Sequence, residues 1–217
     1  MSVGCRASIC GDSEWSRLRR RLLARLEKDF GEGLVDQDIV PVLRLLNSTE
    51  CLVTSSSCSG RIAVFAAPRP GDKARGGIVA KWHRRVEPWE LREAVEEALR
   101  AMPRGFVWAS AQPVILALHA CSQEAAEAVV RAALRAGFKY TGYRCGSIGG
   151  YYVTVQGVER IDVPLRVGDA EVSIDYEVLA TLLNTYLSFA KAKLERLHRS
   201  LSAELPLLHG CPWRGVS

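Results

Sequence analysis

The chain has 217 residues, 48% of them hydrophobic and 24% charged, and 29 Lys and Arg against 24 Asp and Glu give a net charge of +5. Those values exclude a disordered or collagen-like chain and allow one domain with a core of its own. Arginine outnumbers lysine 23 to 6; its planar fork grips phosphate or carboxylate, although a compositional bias of the genome produces the same skew.

No run is long enough to span a membrane, and the first ten residues lack the apolar stretch of a signal peptide. A cytoplasmic protein without membrane association is expected. The seven cysteines are scattered, with no C-x-x-C pair. That argues against a zinc ribbon and leads to the expectation of reduced, mostly buried thiols and no metal, with a disulfide, as in a hyperthermophile, as the alternative that sequence cannot pair.

Residues 13–30 carry leucines at helical spacing and predict a helix, ended by Gly31. A shorter helix follows from Asp36, a good cap, to about 46, with Pro41 tolerated near its first turn. Residues 50–54, 61–67 and 77–82 read as strands. Pro88 sits where a first helical residue would, and 89–102 is the next helix.

Residues 113–120 form a near-continuous apolar run, as in a buried central strand. Ser122 then caps a helix ending at Gly137. Strands follow at 138–145, 151–156 and 160–166, and Asp175 opens a long last helix to about 201. Helices and strands do not alternate regularly. The pattern predicts one α+β domain over 1–217, with a core of about 13–203, a mixed β-sheet packed with helices, a long C-terminal helix and a tail at 206–217.

The densest polar cluster is Thr54 to Arg61, read as a loop between two strands at a sheet edge. Its serines, glycine and arginine suit an anion nest with Arg61 as the charge, and a plain serine-rich turn fits as well. The spacing of Cys58 and Arg61 does not match a tyrosine-phosphatase loop, and no nucleophile elbow or Walker A lysine is present. His83 follows Trp82 and precedes Arg84 and Arg85, a combination suited to stacking on a base with phosphates nearby. His119 ends the most apolar strand, a common place for ligands and also for a core histidine. His198 and His209 gain no role. The late glycine-rich loop, Gly146 to Gly150, does not meet the dinucleotide fingerprint, so a Rossmann-type cofactor site is not expected.

Together these segments resemble the tRNA methyltransferase family of wybutosine synthesis. Ser56-Ser57-Cys58-Ser59-Gly60-Arg61-Ile62 matches the family's central motif. The stretch from Gly33 to Asp36, with Ile39, Pro41 and Leu45-Leu46-Asn47, is similar to its lead-in. Gly76-Gly77 before His83, the strand ending at His119, Gly137-Phe138 with Gly142, Ile161 to Pro164, and Asn184 on the last helix also fit. The likeness covers roughly residues 13–200. It departs from many members in having Ile78 or Val79 where they carry a tryptophan, and Trp82 where they carry a serine before the histidine.

The resemblance implies a fold other than the Rossmann methyltransferase. It implies S-adenosyl-L-methionine as methyl donor and, as partner, phenylalanine tRNA with a pre-modified guanosine, methylated at N4 of the aminocarboxypropyl-demethylwyosine base; no obligate protein partner is inferred. His119, His83 and Asp36 are the candidate catalytic residues. Ser56, Ser57, Ser59, Gly60, Arg61, Trp82 and Asn184 are candidates for cofactor or substrate binding, and Arg84 and Arg85 for tRNA contact. The helix carrying Arg17, Arg20, Arg21 and Arg25 is either a tRNA-backbone contact or a solvated face. A non-catalytic tRNA- or nucleotide-binding module, or a methyltransferase with another acceptor, is the alternative.

Overall fold

The computed structural model describes residues 5–72 and 74–208. Most of the expected tail, together with His209, lies outside them. In chain order the elements are α1 (Ser13–Gly31), a 3-10 turn (Gln37–Ile39), α2 (Val40–Asn47), β1 (Leu52–Ala67), β2 (Gly77–Trp82), α3 (Pro88–Ala101), β3 (Gly105–Ala120), α4 (Gln123–Arg135), β4 (Tyr140–Cys145), β5 (Tyr151–Gln156), β6 (Ile161–Gly168), β7 (Ala170–Glu171) and α5 (Tyr176–Glu204), with a last 3-10 turn (Leu205–Leu207). No helix among the described residues is long and apolar enough to cross a membrane.

The fold is α+β, as expected. Where a mixed sheet was expected, β2 on β1, β5 and β6 on β3, β4 on β5 and β7 on β6 all pair antiparallel. Two strands are far longer than their apolar runs. The serine cluster is not a loop but the middle of the 16-residue β1, and β3 begins eight residues before the apolar run at 113–120. Serine backbone pairs in a ladder as well as valine backbone does, so a hydrophobicity pattern overlooks such a stretch.

The chain divides into two compact units: residues 1–59, 114–158 and 191–217, and residues 60–113 and 159–190. β1, β3 and α5 each contribute to both. In the first unit the strand order is β1–β3–β5–β4. Leu116 and Leu118 of β3, with Val153 and Val155 of β5, are fully buried on one face together with Ala126, Val129 and Ala133 of α4. Ser122 caps α4 as expected, its hydroxyl accepting from Ala125 N at 3.2 Å. Trp15 of α1 is 3% exposed and donates to Glu50 O at 3.1 Å, while Arg19 donates to the carbonyls of Asn47 and Thr49. Glu204 at the end of α5 joins Arg131 (2.7 Å) and Arg135 of α4.

The N-terminal segment is covalently fixed here. Cys5 is bonded to Cys145 and Cys10 to Cys121, which corrects the expectation of reduced thiols. Sequence spacing could not pair cysteines 140 and 111 residues apart. Ile9, between the two bridges, is buried, and its amide donates to Cys121 O.

In the second unit the order is β2–β1–β3–β6–β7. Its core is Ile62 and Val64 of β1, Val107 and Ala109 of β3, Leu91 and Val95 of α3, and Leu179, Leu183 and Leu187 of α5. α3 opens with Pro88 and a capping box between Glu87 and Glu90. Asp175 caps α5, its carboxylate accepting from the amides of Glu177 and Val178.

Candidate functional site

In the first unit, the serine half of β1 is fixed at both ends by polar contacts. At its start Asn47, the last residue of α2, accepts from Thr54 N (3.0 Å) and donates to Thr54 Oγ1 (2.8 Å). Ser55 donates to Ala117 O at 3.1 Å, across to β3. At the far end Ser59 is fully buried; its amide donates to Asp36 Oδ2 (2.9 Å), and its hydroxyl accepts from Lys191 Nζ (2.6 Å). Lys191 also pairs with Asp38. Asp36 was expected to cap a helix, but its side chain caps nothing and is turned to the serine strand instead.

Between those ends Ser56 and Ser57 are exposed and Cys58 is half-buried. Thr54 to Ser57 line a cavity of about 160 Å³ with Arg25, Asp29 and Asp36. A second cleft, of about 360 Å³, is lined by Asp38, Lys191, Glu195, His198 and Arg199. Hydroxyls, carboxylates and a guanidinium around a small cavity form a donor set for a zwitterionic α-amino acid head: carboxylates for its ammonium, Arg25 and serine hydroxyls for its carboxylate.

His119 is on β3 of the same unit, half-buried, its ring edge-on to Tyr152 at 5.0 Å. Burial, and then the charges of Arg21 and Arg144, lower its pKa. At neutral pH the ring is therefore uncharged and able to accept a proton.

The second unit holds the remaining candidates. Gly60 has φ +87, and a Cβ there would meet Gln112 O at 3.2 Å and Ala190 Cβ at 3.3 Å, so glycine is required on both counts. Arg61 donates through Nε to Gln112 Oε1 at 2.7 Å, which fixes the guanidinium while its terminal nitrogens remain for a ligand. Trp82 ends β2 and packs partly on the core, with His83 half-buried after it.

Arg84 makes two bonds to Glu90 (2.9 and 2.7 Å), and this pairing holds the Glu90 carboxyl down at about 2. Arg85 is exposed. Asn184 uses both halves of its amide on one residue: Oδ1 accepts from Val86 N and Nδ2 donates to Val86 O, each at 2.9 Å. It thereby anchors the segment that carries Trp82 to Arg85.

Asp36 and Ser59 are thus brought together in the first unit. Arg61 is oriented by Gln112 in the second, and Asn184 supports the His83–Arg85 segment. Sequence reading missed Asn47, Asp38, Lys191 and Gln112. Asn47 had a signal, since it ends the Leu45-Leu46-Asn47 stretch of the family likeness; Lys191 had none, being one cation on a long helix, 132 residues from Ser59.

Comparison with known proteins agrees with this arrangement of motifs. The family model of methyltransferase TYW3 matches residues 17–203. A Pyrococcus horikoshii protein, tRNA(Phe) 7-((3-amino-3-carboxypropyl)-4-demethylwyosine(37)-N(4))-methyltransferase 1, is 34% identical over 191 residues, 87% of this chain and 95% of its own. The corresponding methyltransferase of Archaeoglobus fulgidus is 35% identical over 195 residues, 87% and 94% of the two chains. Among solved structures, the PH1069 protein from Pyrococcus horikoshii superposes with a TM-score of 0.77 at 33% identity, over 86% of this chain and 95% of that one. The chain belongs to the methyltransferase TYW3 family.

Proposed function

We propose that this protein methylates N4 of the aminocarboxypropyl-demethylwyosine base at position 37 of tRNA(Phe), with S-adenosylmethionine as donor, and acts in the cytoplasm as one catalytic unit. One observation carries the reading: the family-matched motif Ser56 to Arg61 lies on a strand whose buried Ser59 is held between Asp36 and Lys191. The donor supplies an electrophilic methyl carbon on a sulfonium sulfur. The amino acid head of the donor and the aminocarboxypropyl chain of the base share one chemistry, and the polar cavity beside Ser56 and Ser57 has the groups to hold such a head.

Orientation of the two reactants supplies much of the acceleration. As N4 gains the methyl carbon it must lose its proton, and neutral His119 is assigned to accept it. Arg61, held by Gln112, is assigned to a carboxylate of substrate or donor. Trp82 and His83 offer stacking surfaces and Arg85 an exposed cation for phosphate, whereas Arg84 is engaged by Glu90. Asn184 acts as a positioning residue.

The test is purified protein with methyl-labelled S-adenosylmethionine and tRNA(Phe) carrying the demethylated precursor, followed by nucleoside mass analysis. The expected result is a gain of one methyl on the tricyclic base and no transfer to unmodified transcript. Binding of both RNAs without transfer would instead identify a binding module, and a methyl elsewhere another acceptor. An Arg61→Ala protein that folds and keeps full activity would overturn the role given to Arg61.

A further inference from the structure

The sheet of the first unit has a second face. In an antiparallel ladder directly opposed residues share a face, so the registers of β3, β5 and β4 sort its side chains into rows. Ile115, Gln156 and Tyr140 form the first, and His119, Tyr152 and Arg144 the last. Between them are Ala117, Thr154 and Gly142. This face is opposite the one buried with α4. Tyr140 is 72% exposed and Ile115 39%.

The middle row is low: Ala117 and Gly142 are among the smallest side chains, and a Cβ on Gly142 would meet nothing within 4 Å. The row beside it is rigid, because Tyr152 is edge-on to His119 at 5.0 Å and carries the Arg144 guanidinium over its ring at 4.8 Å. The result is a shallow trough with a floor of small side chains, Ala117 (4% exposed), Thr154 and Gly142, and a tyrosine on each side.

Cations border it. Arg17, Arg21 and Arg25 recur every four residues along α1 and are exposed. Arg17 and Arg21 line a cleft with Ser147 and Ile148 of the β4–β5 turn, and Arg25 lines the cavity of Ser55 to Ser57. The acids in those clefts are Glu14, Asp36 and Asp29, the last 3.7 Å from Arg25. Arg17, Arg21 and Arg144 keep this edge positive.

We propose that this trough docks unpaired nucleotides of the tRNA anticodon loop, with bases on Tyr140 and Tyr152 across the Ala117–Thr154–Gly142 floor and phosphates on Arg17, Arg21 and Arg144. The inference rests on tRNA being the substrate. Flat exposed rings beside guanidinium groups suit splayed-out bases, and stacking accepts any base because every base has a π face. An acidic peptide would need the cations but not the tyrosines or the low floor.

The test measures binding of the tRNA(Phe) anticodon stem-loop by fluorescence anisotropy, with thermal unfolding as a control. Tyr140→Ala removes one stacking surface and weakens binding by roughly 5- to 150-fold. Gly142→Val fills the trough from an open position, so it leaves folding intact and weakens binding as well. Arg17→Ala with Arg21→Ala flattens the plot of log affinity against log salt by roughly 1.4, two phosphates at about 0.7 each for a single strand.

In the methyl-transfer assay Tyr140→Ala and Gly142→Val raise KM for tRNA, with kcat at saturating tRNA and cofactor affinity retained. Wild-type affinity and salt slope in the folded variants would overturn the docking face, as would displacement by polyglutamate that is insensitive to Tyr140→Ala. If the variants lose RNA binding but the wild type transfers no methyl, the docking face stands and the catalytic reading fails. Transfer by variants with unchanged KM gives the opposite outcome.

Discussion

Ser59 shows how much a single residue can depend on remote ones. Its amide is held by Asp36 and its hydroxyl by Lys191, itself paired with Asp38. A charged hydrogen bond to a fully buried hydroxyl contributes about 1.5–3 kcal/mol to stability, so Lys191→Met is expected to cost about that much and, as Ser59 loosens, to lower kcat/KM for methyl transfer. Steady-state kinetics measures this, and partial recovery in Lys191→Arg would tie the loss to the missing cation. His119 gives a pH prediction. Its pKa is lowered below the usual 6.5, so the acid limb of the activity profile has its midpoint below pH 6.5 and disappears in His119→Gln. The linkage has the same direction: below pH 6.5 the unfolded chain binds a proton that the folded one resists, and this contribution to stability falls as pH drops through that window. A urea titration at several pH values, compared between wild type and His119→Gln, reads it directly.

Among the elements, β1 is the one whose meaning changed most. Its two ends were legible as strands because they are apolar, while its serine middle read as a loop. Only the ladder shows that one strand carries Ser56, Ser57 and Ser59 and continues through the left-handed Gly60 to Arg61. The caps of α4 and α5 were legible, because Ser122 and Asp175 act through their own backbone neighbours, whereas Asp36 turns to the serine strand instead. Asn184 was legible only as part of a family motif. Its two bonds satisfy the backbone of Val86, which is 1% exposed. Asn184→Leu leaves both groups unpaired and is expected to cost about 2–4 kcal/mol. Denaturant unfolding measures that loss, and KM for tRNA should rise more than kcat falls as the Trp82–Arg85 segment loosens. Restoration of both by Asn184→Asp is not expected, since a carboxylate cannot donate to Val86 O.

At the scale of the whole molecule the cysteines are unevenly placed. The Cys5–Cys145 and Cys10–Cys121 disulfides lie in the first unit, and residues 60–113 and 159–190 contain no cysteine. Closing loops of more than a hundred residues stabilises a fold by roughly 4–5 kcal/mol on the chain-entropy account. Cys10→Ser is therefore expected to lower Tm by several degrees and to release the segment around Ile9. Hydrogen exchange should rise in peptides covering 5–12 and 121–123, while peptides from 60–113 and 159–190 keep their protection. Faster exchange throughout the chain would contradict that division.

The α+β class, nearly every helix, the strand ends and the family are readable from residue order alone, because they follow from local hydrophobic period, caps and a continuous motif. Folding in three dimensions settles which distant groups meet: Lys191 at Ser59, Gln112 at Arg61, Asn184 at Val86, and Cys10 at Cys121. The physical reason is common to all four. Each contact is set by where the sheet register and helix packing bring two backbones, and side chains more than fifty residues apart carry no local periodicity that announces their partner.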